Sequence, residues 1–279
     1  MGKECNSGLK EFKIYGIQMN SQLADIKANC EKILFLINRD VKDDADLIVL
    51  PEVWTVGWSC SDFRSCAETF ESSRAIQILS DIAKDKKSFV IGGSVIEKTK
   101  DGKFLNTTPV FDRGGNLIAK YSKNHLFSYY GDNEGEYVEA GKNPVMVNLD
   151  GVRVGLTICY DIRFPEIYRA YRKSGADLFV NCAAWGFKKP IPWECMTRSR
   201  ASENQTYMVA LTQSGKIKDN EFNLGHSRIL DYKGETISEI KNQEEGAMSA
   251  VINLNEMYEF REKCTILKDI KDAYEVECV

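Results

Sequence analysis

Two stretches of this chain, one in each half, run through the same succession of short apolar segments and amphipathic helices, and that succession limits the folds open to it. In the first, residues 12–19 alternate as a strand, and Leu23, Ile26, Cys30, Ile33, Leu34 and Ile37 then share one helical face. Residues 47–50 form a short apolar strand, residues 75–84 a second helix, and residues 89–96 one strand in which Gly92-Gly93 marks a kink or a close backbone approach. The turn at 112–116 makes a hairpin. In the second stretch Val152–Ile158, 178–182 and 206–212 read as strands, separated by helices over Pro165–Lys173 and 193–204. Strands at 227–231, 235–240 and 247–254 follow, the first two joined by the turn at 232–235. Strands alternating with helices pair in parallel, and hairpins pair antiparallel, so the pattern predicts an α/β fold of two mixed sheets covered by helices.

Nothing in the 279 residues separates these stretches: no linker rich in Pro, Gly or Ser and no repeat of short period occurs. One domain over 1–279 is expected, with 261–279 a charged, less regular C-terminal arm suited to oligomer contacts. With 37 basic and 41 acidic residues and no basic run, nucleic acid and anionic membrane surfaces are not expected partners. No apolar run suits a signal peptide or a bilayer span, which leads to the expectation of a cytoplasmic protein. The nine cysteines include no Cys-x-x-Cys pair and read as reduced thiols. His125 and His226, the two histidines, argue against a zinc site and leave little room for a Cys-His pair, so no metal is expected.

Reactive groups recur where apolar strands end. Cys159 terminates Val-Gly-Leu-Thr-Ile and is followed by turn and helix-start residues, a position that holds a thiol rigidly and can aim backbone N–H groups at an oxyanion. Glu52 follows Leu-Ile-Val-Leu-Pro, and Lys123 lies in Tyr-Ser-Lys-Asn-His-Leu-Phe. In α/β sheets, sites form beyond such strand ends. Taken singly, a cysteine is usually a small buried hydrophobe, and a Pro-Glu or a lysine a solvated surface residue. Taken in order, Pro51-Glu52, Lys123-Asn-His-Leu-Phe127 and Cys159-Tyr-Asp-Ile-Arg-Phe-Pro-Glu166 resemble the nitrilase superfamily of carbon–nitrogen hydrolases. The resemblance continues through Asp177-Leu-Phe-Val-Asn181, Arg200-Ala-Ser-Glu-Asn-Gln205, Gly225-His-Ser-Arg228, Arg261-Glu-Lys and Asp272-Ala-Tyr274.

That resemblance implies a four-layer α-β-β-α sandwich, assembly into a homodimer or larger homo-oligomer, and a Glu-Lys-Cys triad with a second glutamate. The family's second glutamate lies several residues before the glycine of a segment like Glu139-Ala-Gly141, which favours Glu134 over Glu136 and Glu139. Amide hydrolysis needs a nucleophile, a proton carrier and an oxyanion cradle. Cys159 would attack, Glu52 would carry the proton, and Lys123 with the backbone N–H of Tyr160 would hold the oxyanion. Glu134 would orient Lys123 or the substrate amide. With Glu52, Lys123 and Cys159 in these roles, no cofactor is expected.

The residues after Cys159 lack the Trp-Glu of true nitrilases and resemble those of ω-amidase and Nit-type amidases. The substrate class so implied is a small carboxylate-bearing amide, such as 2-oxoglutaramate or succinamate, and Arg163 is the candidate cation for its carboxylate. Arg163 could instead pair with Glu166 or another acid and never meet substrate. Tyr129 and Trp185 are candidate pocket walls, while Trp54 and Tyr130 suit either a wall or the core, and pocket shape depends on loops 54–63 and 127–139. Cys60, Cys66, Cys182 and Cys195 read as packing thiols and His226 as structural. The competing readings are an N-carbamoyl amidohydrolase, which would release carbon dioxide as well, and a non-catalytic scaffold, disfavoured because all three triad positions are filled.

Overall fold

In the computed structural model, which describes residues 11–129, 132–271 and 273–279, the alternation resolves into two facing sheets. The first half supplies β1 (Glu11–Gln18), α1 (Ile26–Asp40), β2 (Leu47–Val49), the single turn α2 (Phe63–Cys66), α3 (Arg74–Lys86), β3 (Phe89–Ile91), β4 (Val95–Lys98), β5 (Phe104–Phe111) and β6 (Leu117–Ser122). Strands β1, β2 and β3 are parallel neighbours, and β5 runs antiparallel to β3, β4 and β6. After the short pair β7 (Ser128–Tyr129) and β8 (Asp132–Asn133), the second half supplies β9 (Met146–Leu149), β10 (Val152–Ile158), α4 (Pro165–Lys173), β11 (Leu178–Ala183), α5 (Pro190–Asn204) and β12 (Tyr207–Thr212). A small hairpin of β13 (Lys216–Lys218) and β14 (Glu221–Phe222) precedes β15 (Ser227–Leu230) and β16 (Thr236–Ile240). Here β10, β11 and β12 are parallel, with β9 and β15 antiparallel at either side. Finally β17 (Gly246–Asn253) returns to the first sheet, pairing with β1 from Glu11 opposite Asn253 to Gln18 opposite Gly246, and leads into α6 (Leu254–Lys263).

The period of two along each strand makes the layers. On β2, Leu47 and Val49 point into the core between the sheets, whereas Ile48 and the following Leu50 pack against α1 and α3 through Ile33, Leu36, Ile37, Leu79 and Ile82. On the far side, Tyr168 and Tyr171 of α4 and Trp193 and Ala201 of α5 cover the second sheet. The result is the α-β-β-α sandwich, with each fully buried Leu, Ile or Val contributing about 1.5–3 kcal/mol of apolar transfer.

Three local departures from the sequence reading have physical causes. The strand expected over 89–96 is broken after Ile91, because Gly93 adopts φ +62° with its Cα so close to Pro51 that an added Cβ would lie 1.9 Å from the Pro51 carbonyl oxygen. The chain then leaves β3 and rejoins the sheet as β4 beyond β5. The four-residue β9 escapes a pattern reading because only Val147 and Leu149 carry its alternation. Leu254 starts a helix rather than ending a strand, since the Asn253 side chain caps the N–H groups of Asn255 and Glu256. That helix continues past Arg261, whose guanidinium donates to the carbonyls of Gln205 (2.8 Å) and Ala176 (3.2 Å).

Candidate active site

The sharp turn after β2 carries Glu52 under the ends of both sheets. Ser94, just past the Gly93 approach, donates its N–H to the Pro51 carbonyl (3.1 Å) and accepts from the Val53 N–H through Oγ (3.0 Å). These bonds hold Val53 at φ +41°, a conformation a β-branched residue adopts only when its surroundings enforce it. Gln213 donates to the Glu52 carbonyl (2.6 Å), and the N–H of Ala184, at the end of β11, donates to Glu52 Oε2 (2.8 Å). The carboxylate is thus fixed by groups from both sheets.

Lys123 follows the last residue of β6, and its ammonium is shared by two carboxylates, donating to Glu52 Oε1 and to Glu134 Oε2 at 2.8 Å each. All three side chains are 0 % exposed. Asn106 of β5 forms a second bridge, its Nδ2 donating to Oε1 of both glutamates at 3.0 Å, and the N–H of Phe127 completes Glu134 (2.8 Å). Of the three glutamates weighed from sequence, Glu134 reaches Lys123; Glu139 pairs with Lys103 at 3.1 Å and Glu136 is exposed.

Cys159 opens a 3-10 turn (Cys159–Arg163) at the end of β10 with φ +43°, a second strained residue beside the cluster. Its turn leaves the Tyr160 N–H among the donors that a helix start cannot satisfy internally. Burial pushes the thiol well above its ordinary range, and the neighbouring Glu52 charge adds to this against the pull of Lys123. Burial likewise raises Glu52, with Lys123 opposing it and Glu134 reinforcing it. Burial disfavours the Lys123 ammonium, but the charges of Glu134 and Glu52 outweigh that and hold it well above its ordinary value. At rest the cluster therefore holds an ammonium, a protonated thiol and a carboxylate with raised proton affinity.

A cavity of about 520 Å³ opens onto Cys159, walled by Trp58, Phe127, Tyr160 and Trp185. The Trp58 ring also faces the Lys123 ammonium at 5.2 Å. Arg163 lines the same cavity with its guanidinium 5.2 Å from the Trp185 ring and 5.7 Å from the rings of Tyr129 and Tyr160. It makes no ion pair with Glu166 or with any other described residue. Trp185 lines the cavity, while Tyr129 is 43 % exposed and stands outside that lining with the Arg163 guanidinium over its ring. Trp54 belongs to the core, buried under α1 and α3 with its indole N–H donating to the Gly92 carbonyl (2.9 Å). Tyr130 and Asp272 lie outside the described residues. His226 contacts Arg228 (2.8 Å) and Glu239 (3.3 Å), away from the residues lining the cavity.

Sequence reasoning missed Asn106, Trp58 and the Ala184 N–H. Only Asn106 left a trace, as the first of three successive polar residues, Asn106-Thr107-Thr108, buried in a strand that is otherwise apolar.

A two-sheet sandwich with a thiol and a buried acid–base cluster at its strand ends is the architecture of a hydrolase family that the comparisons identify. Residues 16–262 match the carbon–nitrogen hydrolase family, and the chain belongs to it. It groups with the ω-amidase and Nit-type members of the nitrilase superfamily. It is 37% identical over 266 residues to the 2-oxoglutaramate amidase of Bacillus subtilis strain 168, covering 95% of this chain and 100% of that protein. It is 33% identical over 274 residues to omega-amidase NIT2 of Bos taurus, covering 95% and 98%. The solved structure of Saccharomyces cerevisiae Nit3, a member of branch 10 of the nitrilase superfamily, matches with a TM-score of 0.84 at 28% identity, covering 91% of this chain and 94% of that one. As a family member this chain is a hydrolase of carbon–nitrogen bonds other than peptide bonds. No helix among the described residues is long and apolar enough to cross a membrane.

Proposed function

We propose that this chain is an ω-amidase-like thiol amidohydrolase that converts a small carboxylate-bearing amide to the carboxylate and ammonia through a thioester on Cys159. The observation that carries the reading is one buried ammonium shared by two buried carboxylates beside a strained thiol, which lines a cavity together with an arginine that has no ion pair among the described residues. Its relatives at 37% and 33% identity are named 2-oxoglutaramate amidase and omega-amidase, which supports 2-oxoglutaramate or succinamate as substrates.

Cys159 Sγ attacks the amide carbon as its proton passes to Glu52, and the oxyanion forms between the Lys123 ammonium and the Tyr160 N–H. Glu52 returns that proton to the leaving nitrogen, the C–N bond breaks, and ammonia departs. Water then gives a proton to Glu52 while its oxygen attacks the thioester, and collapse releases the acid and expels the thiolate, which takes that proton back from Glu52. Every proton is carried by a group already present, so the cycle is closed without a cofactor. Glu134 holds Lys123 by charge and geometry and keeps it cationic. Arg163 grips the distant carboxylate through two parallel hydrogen bonds, with Trp185 and Tyr129 holding the guanidinium plane. The protein acts in the cytoplasm as a homodimer or larger homo-oligomer, a single domain over 1–279 whose residues 261–279 contribute oligomer contacts.

An ammonia-release assay with 2-oxoglutaramate and succinamate, using Cys159→Ala as the blank, tests the reading. Ammonia without carbon dioxide is expected. No ammonia from any ω-amide with Cys159 confirmed reduced defeats the substrate claim, and activity surviving in Cys159→Ala overturns the mechanism.

A further inference from the structure

Asp161 stands two residues past Cys159 and is 0 % exposed, and its four hydrogen bonds come from two different segments. Its Oδ2 accepts from the Ile158 N–H (2.9 Å) and the Tyr121 hydroxyl (2.6 Å). Its Oδ1 accepts from the His125 N–H (2.9 Å) and from His125 Nδ1 (2.8 Å), which must be the donor because a carboxylate offers only acceptors. Ile158 immediately precedes the thiol, whereas Tyr121 and His125 lie two residues to either side of Lys123. The His125 ring is stacked flat on Phe164, with centroids 3.7 Å apart and planes 11° off parallel. Phe164 in turn closes the thiol's turn, its N–H donating to the Asp161 carbonyl (3.1 Å).

A carboxylate serving only as a cap would bind the N–H groups of its own turn. Three of these four bonds instead cross to the lysine's strand and loop. We propose that Asp161, with His125 as its partner, is a positioning residue that braces the strained turn of Cys159 against the Lys123 segment. The ammonium of Lys123 and the N–H of Tyr160 then converge on one oxyanion. This rests on the roles proposed above for Cys159 and Lys123. Charge-assisted bonds suit the task, being short and directional, and a buried carboxylate that lost them would pull the turn apart in finding others. Tyr121 remains a donor throughout, since burial and the Asp161 charge push its phenol well above the ordinary value.

The test compares Asp161→Asn, His125→Phe and His125→Asn with the wild type. The phenylalanine keeps the stack on Phe164 and loses the Nδ1 donor; the asparagine restores a donor at similar reach. Ammonia release from succinamate is measured as kcat per titratable Cys159 and as KM, and alkylation of Cys159 by iodoacetamide is followed by peptide mass spectrometry. Asp161→Asn and His125→Phe are expected to lower kcat per thiol by at least about tenfold with KM changed less than about threefold, and His125→Asn to recover most of the loss. If kcat per thiol stays at the wild-type level while only the melting temperature drops, Asp161 is an ordinary fold-stabilising cap and the brace is refuted. Should Asp161→Asn not fold, the two His125 variants decide. Absence of ammonia from the wild type would reject the amidase reading alone; the alkylation rates then decide the brace, a slower reaction in His125→Phe supporting it and an unchanged or faster one refuting it.

Discussion

Strand β11 has a buried acid–base cluster at each end, and the two are built to opposite charge ratios. Just before its first residue, the single carboxylate of Asp177 receives the Arg153 guanidinium (3.0 and 3.1 Å), the Tyr258 hydroxyl (2.9 Å) and Arg261 (3.5 Å). Just past its last residue, the Ala184 N–H meets Glu52, where two carboxylates share one ammonium. The Asp177 cluster has more cation than it needs and ties α6, which carries Tyr258 and Arg261, onto the second sheet. The Glu52 cluster has too little, so burial leaves one carboxylate with a raised affinity for a proton beside a thiol that must lose one. Saturated charge fixes structure, and unbalanced buried charge stores a proton-transfer step.

The sharpest way to break this contrast is to remove the shared charge at the centre of each cluster in turn, the cation of one and the carboxylate of the other. Lys123→Met leaves two buried carboxylates facing each other, and kcat for ammonia release is expected to fall by about 10²–10³ with a stability loss of about 3–5 kcal/mol. Chemical denaturation and the ammonia assay read the two effects separately. Asp177→Asn, by contrast, is expected to cost about 2–3 kcal/mol, discounted because Arg153 is partly exposed, and to leave kcat per folded molecule unchanged. A drop in kcat without a lower melting temperature would erase the distinction between the clusters. The smallest effect should come from Arg163 on the cavity wall: Arg163→Ala raises KM for succinamate by about tenfold or more and leaves KM for a neutral amide nearly unaltered. Equal KM values for wild type and variant would remove the carboxylate clamp.

How far the sequence reached follows the same division. Glu52 and Cys159 stood out because each follows an apolar strand, where burial and a turn coincide, whereas Lys123 and Glu134 were reached only through the resemblance to the nitrilase superfamily, Glu134 by its offset to Gly141. Asn106 was not, since a polar residue within a strand pattern carries no sign of which side it faces. Trp58 meets Lys123 across loops, and the Ala184 N–H meets Glu52 from the opposite sheet; neither contact has a local signature. The two sheets were read from alternation and Gly92-Gly93 as a kink or a close backbone approach; that the approach is to Pro51 and breaks the strand had no local signature, because Pro51 follows another strand.

The pH dependence of ammonia release tests the proton-carrying role of Glu52 most directly. Its base form is the one that accepts the thiol proton, and burial raises the pH at which that form is lost, so kcat/KM should decline on the acid side at a pH above the ordinary carboxylate value of about 4.3. Glu52→Gln, measured over the same range, should lose that limb together with about 10³-fold of the rate. A variant that keeps the wild-type rate, or keeps the same acid limb, would contradict the account.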